Sequence, residues 1–247
     1  MDLYHKTALV TGGAVRVGKA ITLGLARAGA NVVINFHSSE DEAQNTADEV
    51  IALGVKALPI QADISDSRQV TLMVAEALEH FGSIDILVNS ASYFRTSPLP
   101  TTNLELWQQI TRVTIDGAFY CSNAVAPHMI ASGEGVIINI VDLSVWQPTA
   151  HFAAHNVGKA ALMAMTRQLA VDLSPHVRVN AVAPGAILAP PYYDEAKKQQ
   201  VARRNLLNRW GSPEDVVQTV LFLIKSDFIT GEVVVVDGGE RYGRSKS

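Results

Sequence analysis

Seven short runs along the chain are almost wholly aliphatic, and each is followed by a longer stretch whose apolar residues recur every three or four positions. The runs span residues 7–11, 31–35, 56–61, 84–89, 136–141, 178–183 and 232–236. A strand with one wet face alternates apolar and polar residues, whereas a strand covered on both faces does not, so these runs predict a buried parallel sheet. The intervening stretches, 17–28, 40–53, 66–81, 104–131, 152–173 and 213–224, predict helices. Gly29, Gly54 and Gly82 each follow a helical stretch closely, where a left-handed glycine commonly ends a helix. Strand and helix in strict alternation imply an α/β protein: a doubly wound Rossmann fold with a seven-stranded parallel sheet between helical layers.

Two regions stand outside the alternation. Residues 184–208 contain Pro184-Gly185, Pro190-Pro191 and a polar helical stretch, a pattern expected of a long crossover that covers a substrate as a lid. The polar, basic tail 240–247 is expected to be either disordered or an oligomer contact.

The 247 residues are 48% hydrophobic, enough for one domain with a full core. A net charge of −4 supplies no basic field, so nucleic acid and anionic membrane surfaces are not expected partners. Cys121 is the single cysteine, which excludes an intramolecular disulfide and suits a reducing compartment; it is expected to pack as a small apolar residue. The first residues lack a basic-then-apolar leader, and no apolar run approaches the roughly 18 residues of a membrane span. A cytoplasmic protein is expected, with no metal site.

Thr11-Gly12-Gly13-Ala14-Val15-Arg16-Val17-Gly18 joins the first predicted strand to the first helix. Glycines in this place permit a tight turn and close backbone approach to a pyrophosphate at the positive end of the helix dipole. Together with Asp63, Asn89-Ser90-Ala91-Ser92, Lys159 and Pro184-Gly185, the turn resembles that of the short-chain dehydrogenase/reductase family, over residues 5–240. Arg16 stands where the family commonly has its middle glycine. In this it is similar to the pteridine reductases, a branch in which an arginine lies beside the cofactor phosphates; a guanidinium can bond phosphate in bidentate fashion. The plainer alternative is a surface arginine on the first helical turn.

The resemblance implies a nicotinamide dinucleotide held by Gly12, Arg16, Val17, Gly18, Asn89, Ala91, Lys159, Pro184 and Gly185, with Asp63 and Ile64 at the adenine. An acid ending the second strand would accept bonds from the ribose hydroxyls and repel a 2′-phosphate. None occurs before Glu40; His37, Ser38 and Ser39 can instead donate to phosphate, so NADP(H) is preferred, with NAD(H) as the alternative. Ser39 also suits a helix N-cap, and Asp63 a turn or cap.

Members of this family usually carry a serine after the fifth strand, a tyrosine thirteen positions later, a lysine four beyond it, and an asparagine in the fourth helix. The corresponding residues here are Asp142, His155, Lys159 and Thr114. Only Lys159 matches. The aspartate again resembles the pteridine reductases, which nevertheless keep the tyrosine. Imidazole titrates near about 6.5 and phenol near about 10, so histidine is a competent proton donor in chemical terms. It is also shorter, and a misplacement of about 1 Å can lower a rate about a hundredfold. His155 and Lys159, four apart, share a helix face. Ser144 and His151 are secondary candidates if the local register is shifted.

Tyr93, Phe94, Trp146 and Tyr192 lie in loops at the strand ends and the lid, and suit a flat or apolar small-molecule substrate; Phe94 resembles a pterin-stacking residue. The family resemblance implies a homotetramer, with a homodimer as the alternative. Two functions follow: a reductase of carbonyls or imines with an atypical active site, or a pseudoenzyme whose dinucleotide site serves sensing, scaffolding or regulation.

Overall fold

Each central strand sends successive side chains to opposite faces, and both faces are apolar. Leu9, Val33, Leu87, Ile137 and Val179 pack into one core layer, while their neighbours Val10, Ile34, Val88, Ile138 and Val182 or close equivalents pack into the other. Burial of each such side chain contributes about 1.5–3 kcal/mol, which makes the middle of the sheet the anchor of the fold. The strands in this computed structural model, which describes residues 1–243, are β1 (Thr7–Thr11), β2 (Asn31–Phe36), β3 (Ala57–Gln61), β4 (Ile86–Asn89), β5 (Gly135–Ile140), β6 (Val177–Pro184) and β7 (Val233–Val236). Their spatial order is β3-β2-β1-β4-β5-β6-β7, and every neighbouring pair is parallel. The expected seven-stranded, doubly wound sheet is present, and all strands end at the same edge.

The helices are α1 (Arg16–Arg27), α2 (Glu40–Ala52), α3 (Ser67–Phe81), α4 (Leu104–Thr111), α5 (Gly117–Ser132), α6 (Ala153–Asp172), α7 (Glu195–Ala202) and α8 (Pro213–Lys225). Layering follows from the two cores: α1, α2 and α8 cover one face, while α3 and α5 cover much of the other. Cys121, in α5, is buried in the second core, where burial pushes its thiol up to about 12, so it packs as an inert apolar group.

The stretch 104–131 departs from the continuous helix its periodicity predicts. A π turn, Arg112–Asp116, separates α4 from α5. Its middle residues Val113, Thr114 and Ile115 are β-branched, and the Thr114 hydroxyl donates to the Ile110 carbonyl at 3.0 Å. Within the 184–208 crossover, the polar stretch forms α7 and the remainder is coil and turns. In the tail, Glu240–Tyr242 forms a 3-10 turn, while residues 244–247, part of the same expected tail, lie outside the described residues.

A buried polar chain crosses the centre of the sheet. Asn89 Nδ2 donates to Asn139 Oδ1 at 2.9 Å and to Ser122 Oγ at 3.2 Å, and Asn139 Nδ2 donates to Thr166 Oγ1 at 2.9 Å. These bonds join β4, β5, α5 and α6 below the crevice. Asn139→Ala removes the shared partner and strands buried polar atoms, so it is expected to lower unfolding free energy by about 2–3 kcal/mol in urea titration with an unchanged m-value.

Candidate active site

The turn after β1 is shaped for close approach. Gly12 has φ +62°, and a Cβ there would stand 2.9 Å from the Ala91 Cα; a Cβ on Gly18 would stand 2.0 Å from the Gly12 carbonyl oxygen. Asn35 braces the turn from β2: its Oδ1 accepts from Gly12 N at 3.3 Å and its carbonyl from Gly13 N at 3.0 Å. Helix α1 begins without a side-chain cap and without an acid in its first turn, leaving amides at Arg16, Val17 and Gly18 suited to an anion. These observations fit a pyrophosphate. Arg16 has φ +53°, a left-handed conformation that disfavours a side chain by roughly 1–2 kcal/mol and that glycine adopts freely. Its guanidinium reaches the Leu188 carbonyl at 3.4 Å, linking the turn to the crossover.

Beyond β2, His37 and Ser38 are exposed, and Ser39 is the N-cap of α2 without a side-chain capping bond. Three acids, Glu40, Asp41 and Glu42, follow in the first turn of that helix. Asp63 takes the turn role: its Oδ1 accepts from the Ser65 amide at 2.9 Å and hydroxyl at 2.8 Å. Ile64 is buried against Gly117, where a Cβ would come within 2.7 Å of its Cδ1. Asn89 ends β4, and its buried Oδ1 has no hydrogen-bond partner. The amide of Ala91 donates to Thr11 Oγ1 at 3.1 Å. Pro184 closes β6, and the Gly185 amide donates to the Val236 carbonyl at 2.9 Å, which sets this corner beside β7.

The catalytic candidates converge where β5 gives way to α6. His155 Nε2 lies 2.5 Å from Asp142 Oδ2, and Asp142 Oδ1 accepts from the Ser144 amide at 2.8 Å and from its hydroxyl. Burial opposes ionisation of Asp142, but the hydrogen bond and charge of His155, with help from Lys159 and Ser144, prevail and bring its pKa from 3.8 down to about 2. An ionised carboxylate only accepts, so Nε2 carries the hydrogen of this bond. The other ring nitrogen, Nδ1, is buried without a partner. Lys159 is buried too, and its ammonium donates to the Ile140 carbonyl at 2.6 Å. Burial pushes the Lys159 pKa down while the negative charge of Asp142 acts against that shift. Thr114 packs against Gly158, where a Cβ would be 3.1 Å from its own Cβ, and its hydroxyl is committed to Ile110.

Among the aromatic candidates the structure brings only Phe94 to this centre. Its ring meets His155 edge-on at 4.8 Å and stacks on Phe152 at 4.6 Å. Trp146 lies under Arg241, Tyr93 under Arg95, and Tyr192 is 81% exposed. His151 is exposed at φ +67°, with its carbonyl bonded to the Ser97 amide, away from Asp142. Sequence reasoning missed Asn35 and Phe152. An asparagine inside an apolar strand run was the available signal for Asn35; Phe152 had none beyond its place before α6.

A parallel sheet whose order reverses at β1, a glycine turn at that reversal and a buried lysine at the end of β5 define a dinucleotide-binding oxidoreductase scaffold. The family model described as "Enoyl-(Acyl carrier protein) reductase" matches residues 13–240. A 3-oxoacyl-[acyl-carrier-protein] reductase FabG of Staphylococcus epidermidis is 33% identical over 240 residues, 95% of this chain and 98% of that protein. The (2S)-[(R)-hydroxy(phenyl)methyl]succinyl-CoA dehydrogenase subunit BbsD of Thauera aromatica is 36% identical over 244 residues, 97% of this chain and 98% of that one. The crystal structure of acetoin dehydrogenase YohF from Salmonella typhimurium superposes with a TM-score of 0.89 at 33% identity, covering 98% of each chain. The chain belongs to the short-chain dehydrogenase/reductase family.

Because Asp142 has a depressed pKa in the folded state, its contribution to stability is present above its unfolded value of 3.8 and is lost as pH falls toward about 2. Unfolding free energies of wild type and Asp142→Asn are therefore expected to differ by about 2 kcal/mol near neutrality. Denaturant titrations across pH should show that gap closing between about pH 4 and about pH 2.

Proposed function

We propose that this protein is an NADP(H)-dependent reductase that transfers hydride to the carbonyl or imine carbon of a small molecule, using Asp142 and His155 where its family uses serine and tyrosine. The observation that carries this reading is the 2.5 Å contact of His155 Nε2 with Asp142 Oδ2 beside buried Lys159. The nicotinamide, when bound, supplies the hydride. The glycine turn and the start of α1 would hold its pyrophosphate, and Lys159 would offer the ribose the ammonium hydrogens not used by Ile140. Asp142 orients the imidazole. As hydride reaches the carbonyl or imine carbon and the π bond to the heteroatom breaks, that heteroatom takes the Nε2 proton from His155 in its imidazolium form, leaving a neutral imidazole that is reprotonated from solvent. Thr114, committed to Ile110, spaces α6 from the π turn.

The preference for NADP(H) over NAD(H) rests on Arg16, His37, Ser38 and Ser39 ahead of the first acid, and it works against the three carboxylates that open α2. Exposed Phe119 and Ile130 on α5 and Val157 and Val171 on α6 supply apolar surface for the homotetramer proposed as the assembly. No helix among the described residues is long and apolar enough to cross a membrane.

Fluorescence titration is expected to show NADPH binding more tightly than NADH. In a panel of carbonyl and pterin substrates, His155→Ala should lower kcat by about 10²- to 10⁴-fold with NADPH affinity retained. Turnover indifferent to His155→Ala would sink the proton donor. Dinucleotide binding with no turnover across the panel would favour the non-catalytic reading, and no binding of either nicotinamide would defeat both.

A further inference from the structure

A cavity of about 1020 Å³ lies between α7, the loop that follows β5 and the Glu240–Tyr242 turn. Leu143 and Ser144 form its inner wall. Ser144 also bonds Asp142, so the cavity reaches to within one side chain of the proposed proton donor. Its other walls mix apolar surface, at Ala196, Leu206 and Gly243, with polar groups. Five lining residues are carboxamides: Gln147, Gln199, Gln200, Asn205 and Asn208. Two more, Arg203 and Arg204, carry guanidinium groups, and neither forms an ion pair among the described residues. Glu240 is the single acid of the lining; burial raises its carboxyl pKa, against the pull of the Ala186 amide and Arg204. Asn205 is 4% exposed; its Nδ2 donates to the Arg209 carbonyl at 2.8 Å, and its Oδ1 has no hydrogen-bond partner.

What sets this lining apart is its charge. Two guanidiniums against one carboxyl leave the cavity with surplus positive charge, which favours an anion.

We propose that this cavity is the subsite for the non-reacting part of the substrate, and that this part is a hydrophilic extension bearing a carboxylate, held by Arg203, Arg204 and the surrounding carboxamides. The inference rests on the reductase reading of the Asp142–His155 centre and assigns that centre a substrate class. The carboxylate end sits under α7, and the carbonyl end points past Ser144 toward His155. In this arrangement the crossover is a recognition wall. Specificity for the charged end comes from the hydrogen bonds that the two guanidinium groups give a carboxylate.

Two ketones of matched size test this: 4-oxopentanoate and 5-methylhexan-2-one, which differ at the far end by a carboxylate against an isopropyl group. Saturation-transfer NMR reads the affinity of each for the NADPH-loaded full chain, and NADPH absorbance reads turnover. The carboxylate is expected to bind at least about tenfold more tightly and to show a correspondingly lower KM at similar kcat. The double variant Arg203→Met/Arg204→Met should erase that difference while leaving NADPH affinity and the neutral ketone's parameters unchanged. Equal affinities, preference for the neutral ketone, binding of neither, or an advantage that survives the double variant would each overturn the proposal. Its failure is distinct from failure of the reductase reading: there NADPH binding or all turnover is lost, whereas here both persist without discrimination. A binding preference with no turnover would support the subsite and count against the chemistry.

Discussion

The hydroxyl of Thr11 holds together the two loops that the rest of the site depends on. Buried at the end of β1, it accepts the amides of Ser90 at 3.0 Å and Ala91 at 3.1 Å. At this point β1 has β2 on one side and β4 on the other, so the connections leaving it diverge and open a crevice. The glycine turn fits into that opening because Gly12 presents no Cβ to Ala91, while Asn35 grips the turn from the opposite strand. Three adjacent strands thus fix one cradle, and it gains its rigidity from the buried sheet beneath.

The centre at β5 and α6 shows a different economy of charge. Serine and tyrosine, the usual pair in the family, are neutral groups that need little compensation when buried. Asp142 is an ionised carboxylate that accepts the Nε2 hydrogen of His155, and Lys159 adds a cation close enough to help keep that carboxylate ionised. Charge of this kind is tolerated inside a protein only when each member is matched, since removing one partner exposes the desolvation cost of the others. The three residues therefore constitute a single electrostatic unit.

Much of the fold could be read from residue pattern because the strands are short, doubly covered and continuously aliphatic, which makes their periodicity unambiguous. Boundaries shifted by a residue or two where edge positions such as Lys56 and Glu232 adjoin solvent. The partnership of Asp142 with His155 was legible as spacing, since one precedes and the other opens a helix on the same strand exit. Their orientation was not: the orphaned Nδ1 and the edge-on contact with Phe94 depend on how α6 and the loop after β4 pack. Likewise the sequence marks Arg16 as a departure from glycine but does not show its left-handed backbone or its reach to Leu188. The carboxamide-lined cavity was illegible because its walls come from three segments far apart in the chain, none with a recognisable motif.

The π turn at Arg112–Asp116 fixes the rotational phase between α4 and α5. A π turn accommodates one residue more than the regular helical ladder would hold, and each residue of an α-helix advances the helix by about 100°. Loss of a single residue there would let the two segments fuse into one uninterrupted helix. The face of α4 that now looks toward α6 would swing by about a quarter turn relative to α5, with no change of composition on either. In this chain, alignment across the crevice is thus stored as a count of residues, and an indel in this short segment would alter the site more than most replacements of its side chains.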